Sequence, residues 1–133
     1  MKTIAVACAV IKQEGKILCA QRSAKMSMAL KWEFPGGKIE REESAEACVR
    51  REVREELGVD VVVGEPLAPL THDYGSFSVS LFPFICEEIS GTIRPREHEA
   101  VVWLAPEDLP ALDWAEADRP LIEWLSQRKG NGS

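Results

Sequence analysis

The sequence predicts a mixed α/β domain: a β-sheet sandwiched between helices (α/β/α). Three observations point there. Short apolar runs recur between turn-forming residues, one strongly periodic helix spans residues 44–57, and a second helical pattern runs from about 119 to 128. With 133 residues the chain can bury one core and is short for two ordinary domains. The expected domain is 1–129, with 130–133 a flexible tail.

Residues 3–11 are small and apolar on both alternating faces, as in a strand covered on both sides. Gln13-Glu14-Gly15 is a turn, and "KILCAQR" (16–22) reads as the second strand of a hairpin. Residues 23–31 look like a loop. "WEFPGGKIE" (32–40), with Pro35 and two glycines, reads as a short strand broken by a tight turn. Ser44 is a suitable N-cap for the helix that follows. Ala45, Val49, Val53 and Leu57 form its apolar stripe, and Gly58 suits the left-handed residue that ends it. Residues 59–63, 67–74, 77–86 and 100–104 read as strands, Pro83 marking an edge or a bulge. In the final helix Leu121, Ile122, Trp124 and Leu125 are expected to face inward.

A net charge of −6 argues against a nucleic-acid polymer as partner, since that partner demands a basic surface. Small phosphates are still allowed, because a bound cation can supply positive charge. Cys8, Cys19, Cys48 and Cys86 form no CxxC pair and lie in apolar runs, so buried, reduced thiols are expected. The apolar N-terminus is short and runs straight into a turn and another strand, which favours a strand over a signal peptide. No window reaches the roughly 20 apolar residues that span a bilayer. The expectation is a cytoplasmic protein, monomer or homodimer, with no membrane partner.

The helix raises a question of charge. "REVREELG" (51–58) carries Glu52, Glu55 and Glu56 at i, i+3 and i+4, on one side of the cylinder, where like charges repel. A divalent cation would relieve that repulsion. Mg2+ is hard, prefers oxygen, and is commonly held by a few carboxylates plus substrate phosphates. A solvated charged face is the bland alternative.

The wider pattern bears on that choice. Gly37 is followed after five residues by Glu43, after seven more by Arg51-Glu52-Val53, then by Glu55-Glu56, Gly58 and Val59. The chain therefore resembles the Nudix hydrolases, whose box G-x5-E-x7-R-E-U-x-E-E-x-G-U it matches at every fixed position. "WEFPGGKIE" looks like the segment leading into the box of MutT-type nucleoside triphosphate pyrophosphohydrolases.

The resemblance implies the Nudix fold and a Mg2+ cofactor, with Mn2+ as an alternative. It implies metal ligands at Glu52, Glu55, Glu56 and the Gly36 carbonyl, and an Arg51–Glu43 pair that orients the catalytic helix. Lys38 would reach the phosphates, or be an ordinary surface lysine. Glu97, six residues before Trp103, matches a loop glutamate that serves as ligand or general base; Glu99 competes for that role. Between them His98 reads as a solvated loop residue. The implied reaction is attack of water on the β-phosphorus, giving monophosphate and pyrophosphate, with Glu52 or Glu97 as base.

For the nucleotide, Arg22 and Phe34 align with contact positions, though Phe34 also reads as a core aromatic. Asp118 stands where 8-oxo-dGTP enzymes typically have asparagine, and an ionised aspartate accepts without donating. Asp118 equally reads as a helix N-cap before Arg119-Pro120. The segment also looks like that of CTP pyrophosphohydrolase relatives. The implied activity is therefore nucleotide-pool sanitation of the 8-oxo-dGTP diphosphatase type, with CTP, dCTP or 5-hydroxy-dCTP as alternative substrates. A hydrolase of another nucleoside diphosphate derivative and a non-catalytic nucleotide sensor are the rival readings; an intact box argues against the sensor.

Overall fold

The computed structural model describes residues 2–128, so the expected tail at 130–133 lies outside the described residues. Strand β1 (Lys2–Gln13) turns at Glu14-Gly15 into β2 (Lys16–Gln21), with Lys12 opposite Ile17. Short β3 (Trp32–Glu33) pairs with β2, and β4 (Gly36–Lys38) pairs with β1. Helix α1 (Ala45–Leu57) leads to β5 (Asp60–Pro66), β6 (Leu70–Asp73) and the long β7 (Phe77–Ser90). Strand β8 (Ala100–Leu104) and 3-10 helices Pro106–Ala111 and Glu116–Asp118 precede α2 (Arg119–Gln127).

The sheet runs β3-β2-β1-β7-β5, with β8 on β2 and β6 on β7. Its centre is parallel: β1 and β7 pair from Lys2↔Phe77 through Ile11↔Cys86. Alternate β1 residues serve opposite faces, as strand geometry requires. Ala7, Ala9 and Ile11 pack with Val49, Val53 and Leu57 of α1, whereas Cys8 and Val10 pack with Leu121, Ile122 and Leu125 of α2. Two cores on one sheet make the α/β/α sandwich.

Helix α1 has the expected ends. The Ser44 hydroxyl accepts from the Ala47 N–H, and Gly58, at φ 73°, donates its N–H to the Arg54 carbonyl. All four cysteines are buried and free. No helix among the described residues is long and apolar enough to cross a membrane.

Three expectations are corrected. Pro83 lies on an interior strand, opposite Cys8, so the edge alternative falls and the bulge alternative holds. Its missing N–H is tolerated because β6 pairs up to Leu81 and β5 from Phe84 onward, with a register shift between Val63 and Pro66. The 67–74 strand shortens to β6, since the chain must cross from β5 to β6 along β7. Trp124 is 47% exposed. It flanks the apolar arc of α2, and the Arg128 guanidinium lies over its ring, 4.8 Å from the centroid.

Candidate active site

The Gly36–Lys38 strand lies between β1 and the acidic face of α1, and the packing there is close. A Cβ on Gly36 would overlap the Ala7 carbonyl and the Cys8 backbone, whereas one on Gly37 would meet the Glu52 carboxylate at 2.5 Å. These two glycines differ in what they make room for: backbone in one case, a functional side chain in the other. Gly36→Ala is therefore expected to destabilise the fold by about 1–3 kcal/mol, read as a lower Tm. Gly37→Ala should keep its Tm but lose roughly 100-fold in kcat, because the Glu52 carboxylate must move.

Arg51 is the hub of the acid row. Its Nε and Nη2 form a fork on Glu43, at 2.7 and 3.0 Å. Its Nη1 reaches Glu52 at 3.0 Å and Glu55 at 3.3 Å, and Nη2 also donates to the Lys38 carbonyl at 3.2 Å. The guanidinium, seconded by the Glu40 N–H, holds the Glu43 carboxyl down to about 2. The acids in turn push the Arg51 pKa up, Glu43 most. The Cys48 thiol donates to the carbonyls of Gly37 and Lys38, at 3.5 and 3.3 Å. Helix and glycine strand are thus joined at several points.

The three carboxylates of the row have different surroundings. Glu55 is 59% exposed and Glu52 15%. Glu56 accepts from the Gly36 N–H at 3.3 Å. Burial pushes the Glu56 carboxyl well up, and its hydrogen bond with Glu52 and the charge of Glu33 push it further. Among the described residues no three acid, thiol or imidazole groups converge on one point ready to hold a cation, since Arg51 draws Glu52 and Glu55 toward itself. The donor set still fits a hard divalent ion. Glu52, Glu55 and Glu56 lie within about one turn of α1, Glu56 is bonded to the Gly36 N–H of the glycine strand, and all donors are oxygen.

A second charged group lies beside the first. Glu33 accepts from Arg22 Nη1 at 2.7 Å and bonds His98 Nε2 at 2.9 Å. Arg22 is also held by Ser27, at its carbonyl (2.6 Å) and hydroxyl (3.1 Å). His98 is not solvated: its side chain is 1% exposed. Glu97 and Glu99 are exposed and line one wall of a cleft of about 500 Å³, with Ser23, Ala24, Lys25 and Met26 opposite. Both acids face the same cleft, so the choice between them stays open. Lys38 is exposed.

At the nucleotide end, the Phe34 ring is buried in the core against Trp114, centroids 4.9 Å apart. What Phe34 offers the site is its backbone N–H, which draws the Asp118 carboxyl down while burial pushes it up. The capping expectation for Asp118 is corrected: it makes no side-chain cap bond, its backbone is already helical, and it is 7% exposed. Burial, with the nearby charge of Glu33, pushes its carboxyl up to about 8. Such a shift favours the protonated form, which offers a donor as well as an acceptor. Tyr74 secures this turn, its hydroxyl accepting from the Ala117 N–H at 3.1 Å while its ring stacks on Phe77.

Glu33 and Tyr74 escaped the sequence reading, and His98, read as solvated, is buried. No spacing rule marks them: Glu33 and His98 meet across 65 residues, and Tyr74 reaches Ala117 across 43.

Comparison with known proteins gives a consistent picture. A family model described as the NUDIX domain matches residues 1–125. CTP pyrophosphohydrolase of Escherichia coli is 42% identical over 92% of this chain and 91% of its own. The 8-oxo-dGTP diphosphatase of E. coli is 31% identical over 96% of this chain and 99% of its own. Among solved structures, the E. coli ORF135 protein superposes with a TM-score of 0.86 at 39% identity, covering 100% of this chain and 96% of that one. A MutT NUDIX hydrolase from Burkholderia pseudomallei gives 0.81 at 30%, covering 92% and 98%.

Proposed function

The chain belongs to the Nudix family, and we infer that it is a nucleoside triphosphate pyrophosphohydrolase, releasing the monophosphate and pyrophosphate. The observation that carries this is the placement of the box: Arg51 locked on Glu43, with Glu52 and Glu56 in contact beside Gly36 and Gly37. The names of its relatives support the same reaction class. Family membership implies a divalent metal; Mg2+, replaceable by Mn2+, is the proposal here. Bound at the acid row, it would neutralise phosphate charge and acidify a water.

The residues then divide the work. Glu52, Glu55, Glu56, Glu97 and the Gly36 carbonyl supply oxygen donors. Glu52 or Glu97 takes the proton from the attacking water. Arg51 keeps the helix in register against the glycine strand through Glu43 and the Lys38 carbonyl. Lys38 reaches the phosphates with positive charge, and Arg22 stands at a nucleotide-contact position. All these groups come from one chain, so the chemistry needs no second copy. Free nucleotides and buried free thiols both suit the cytoplasm.

For the base, Asp118 has the right chemistry. A protonated carboxyl donates to the N3 of cytosine while accepting from its amino group. With 8-oxoguanine it accepts from N1–H and donates to O6. The cytosine reading draws further support from the 42% identity to a CTP pyrophosphohydrolase. A kcat/KM profile over 8-oxo-dGTP, dGTP, CTP, dCTP and 5-hydroxy-dCTP with Mg2+ tests the proposal. At least one is expected to reach the ordinary enzymatic range, about 10⁴ M⁻¹s⁻¹ or more. No turnover of any of them would refute it.

A further inference from the structure

Arg22, Glu33 and buried His98 form a chain of charged and polar groups next to the residues that line the 500 Å³ cleft. Glu33 sits at the end of β3 with one carboxylate oxygen on each partner, Oε1 on Arg22 and Oε2 on His98. A carboxylate can only accept, so the imidazole proton belongs on Nε2. Nδ1 is then a bare lone pair, and it is buried with no hydrogen-bond partner among the described residues. Packing alone does not explain a histidine here, because phenylalanine would fill the space without a stranded nitrogen.

What the imidazole joins does explain it. Arg22 leads directly into Ser23–Met26, one wall of the cleft, and His98 lies between Glu97 and Glu99 on the other. Backbone bonds hold the second wall on either side: Arg96 N–H to the Glu56 carbonyl at 3.0 Å, and Glu99 N–H to the Gln21 carbonyl at 2.8 Å. The intervening amides of Glu97 and His98 have no backbone partner among the described residues. The His98 side chain is the tie at that point.

We propose that His98 is a positioning residue for hydrolysis: through Glu33 it ties the wall that carries Glu97 to Arg22 and the wall that follows it. It acts through its neighbours and touches no reacting atom. The inference rests on the pyrophosphohydrolase reading and adds a residue that lies outside the Nudix box.

His98→Phe keeps the volume and removes the bond. It is expected to lower kcat about 10- to 100-fold, the usual cost of losing a partner that orients a working group. KM should change less than kcat. The ratio of kcat/KM between two bases should stay as in wild type, since Asp118 is untouched. In the metal-free protein, amide exchange at Arg96 and Glu99 should speed up about tenfold, because the tie between them is gone. His98→Gln, which can still donate to Glu33, should recover much of the rate, and His98→Asn, which is too short, should not. Adding His98→Phe to Glu33→Gln should cost little more than Glu33→Gln alone, because the two act as one unit.

A purely structural staple would lower Tm and leave kcat of the folded enzyme unchanged. Should His98→Phe fail to fold, the Gln and Asn variants make the same comparison. Wild-type kcat in His98→Phe, or equal kcat in Gln and Asn, overturns the inference and leaves the reaction standing. A wild type that turns over no triphosphate overturns both.

Discussion

Glu56→Gln is expected to lower kcat about 1,000-fold with no loss of Tm. The size follows from what the carboxylate does: a charged oxygen aimed at a phosphoryl-transfer site acts where water is excluded and its effect is largest. Thermal stability should hold for a separate reason. Gln keeps the acceptor for the Gly36 N–H, so the strand stays bonded to the helix. It also removes an acid whose ionisation burial and Glu52 oppose. With the folded pKa raised, this acid contributes most stability at low pH, and that contribution is lost as pH rises through the folded value. The Tm of the variant should therefore equal that of wild type in acid and exceed it in alkali. A stabilising substitution that destroys activity is what a strained functional site predicts. Steady-state kinetics and thermal scans from pH 5 to 9 check both halves. Full activity in Glu56→Gln would remove Glu56 from the site.

The second large effect concerns Asp118. Asp118→Ala is expected to lower kcat/KM for the preferred nucleotide roughly 10- to 100-fold, the worth of one or two buried hydrogen bonds. Asp118→Asn is the more informative change. The carboxyl is pushed up to about 8, so below that pH it is protonated and asparagine imitates it. Above it the carboxylate only accepts. With cytosine it would then face the N3 lone pair, and activity on CTP should fall as pH rises from 7 to 9. A guanine edge offers N1–H and an amino group, so activity on a guanine nucleotide should fall less. Asp118→Asn should abolish that difference between bases. The stability sign agrees: the unfolded aspartate titrates near 4, so stability is fully present below that value and is lost as pH rises through 8. Relative to wild type, the Asn variant should gain Tm at pH 9 and not at pH 4. A wild-type base preference independent of pH would count against recognition by Asp118.

Local rules carried much of this molecule. The 44–57 helix, its Ser44 and Gly58 caps and the first hairpin lie where periodicity and turn chemistry place them. The Arg51–Glu43 pair spans eight residues and was implied by the box. Long-range facts were less legible. The parallel β1–β7 pairing joins strands 75 residues apart, and nothing within either strand names its partner. It also explains why Pro83 is interior. His98 stands in a charged, proline-containing stretch that reads as surface, and only the distant Glu33 accounts for its burial. Capping and recognition at Asp118 look alike in sequence because both need a short acid before a helix; only the fold shows the carboxyl buried and without a cap bond.

The central claim is that the acid row of α1 serves to cleave a phosphate chain between the monophosphate and pyrophosphate. The most direct measurement follows turnover of CTP and 8-oxo-dGTP with Mg2+ in ¹⁸O-labelled water by ³¹P NMR. The predicted products are the nucleoside monophosphate and pyrophosphate, with the label in the pyrophosphate. Nucleoside diphosphate and orthophosphate as products, or neither nucleotide consumed, would contradict the account.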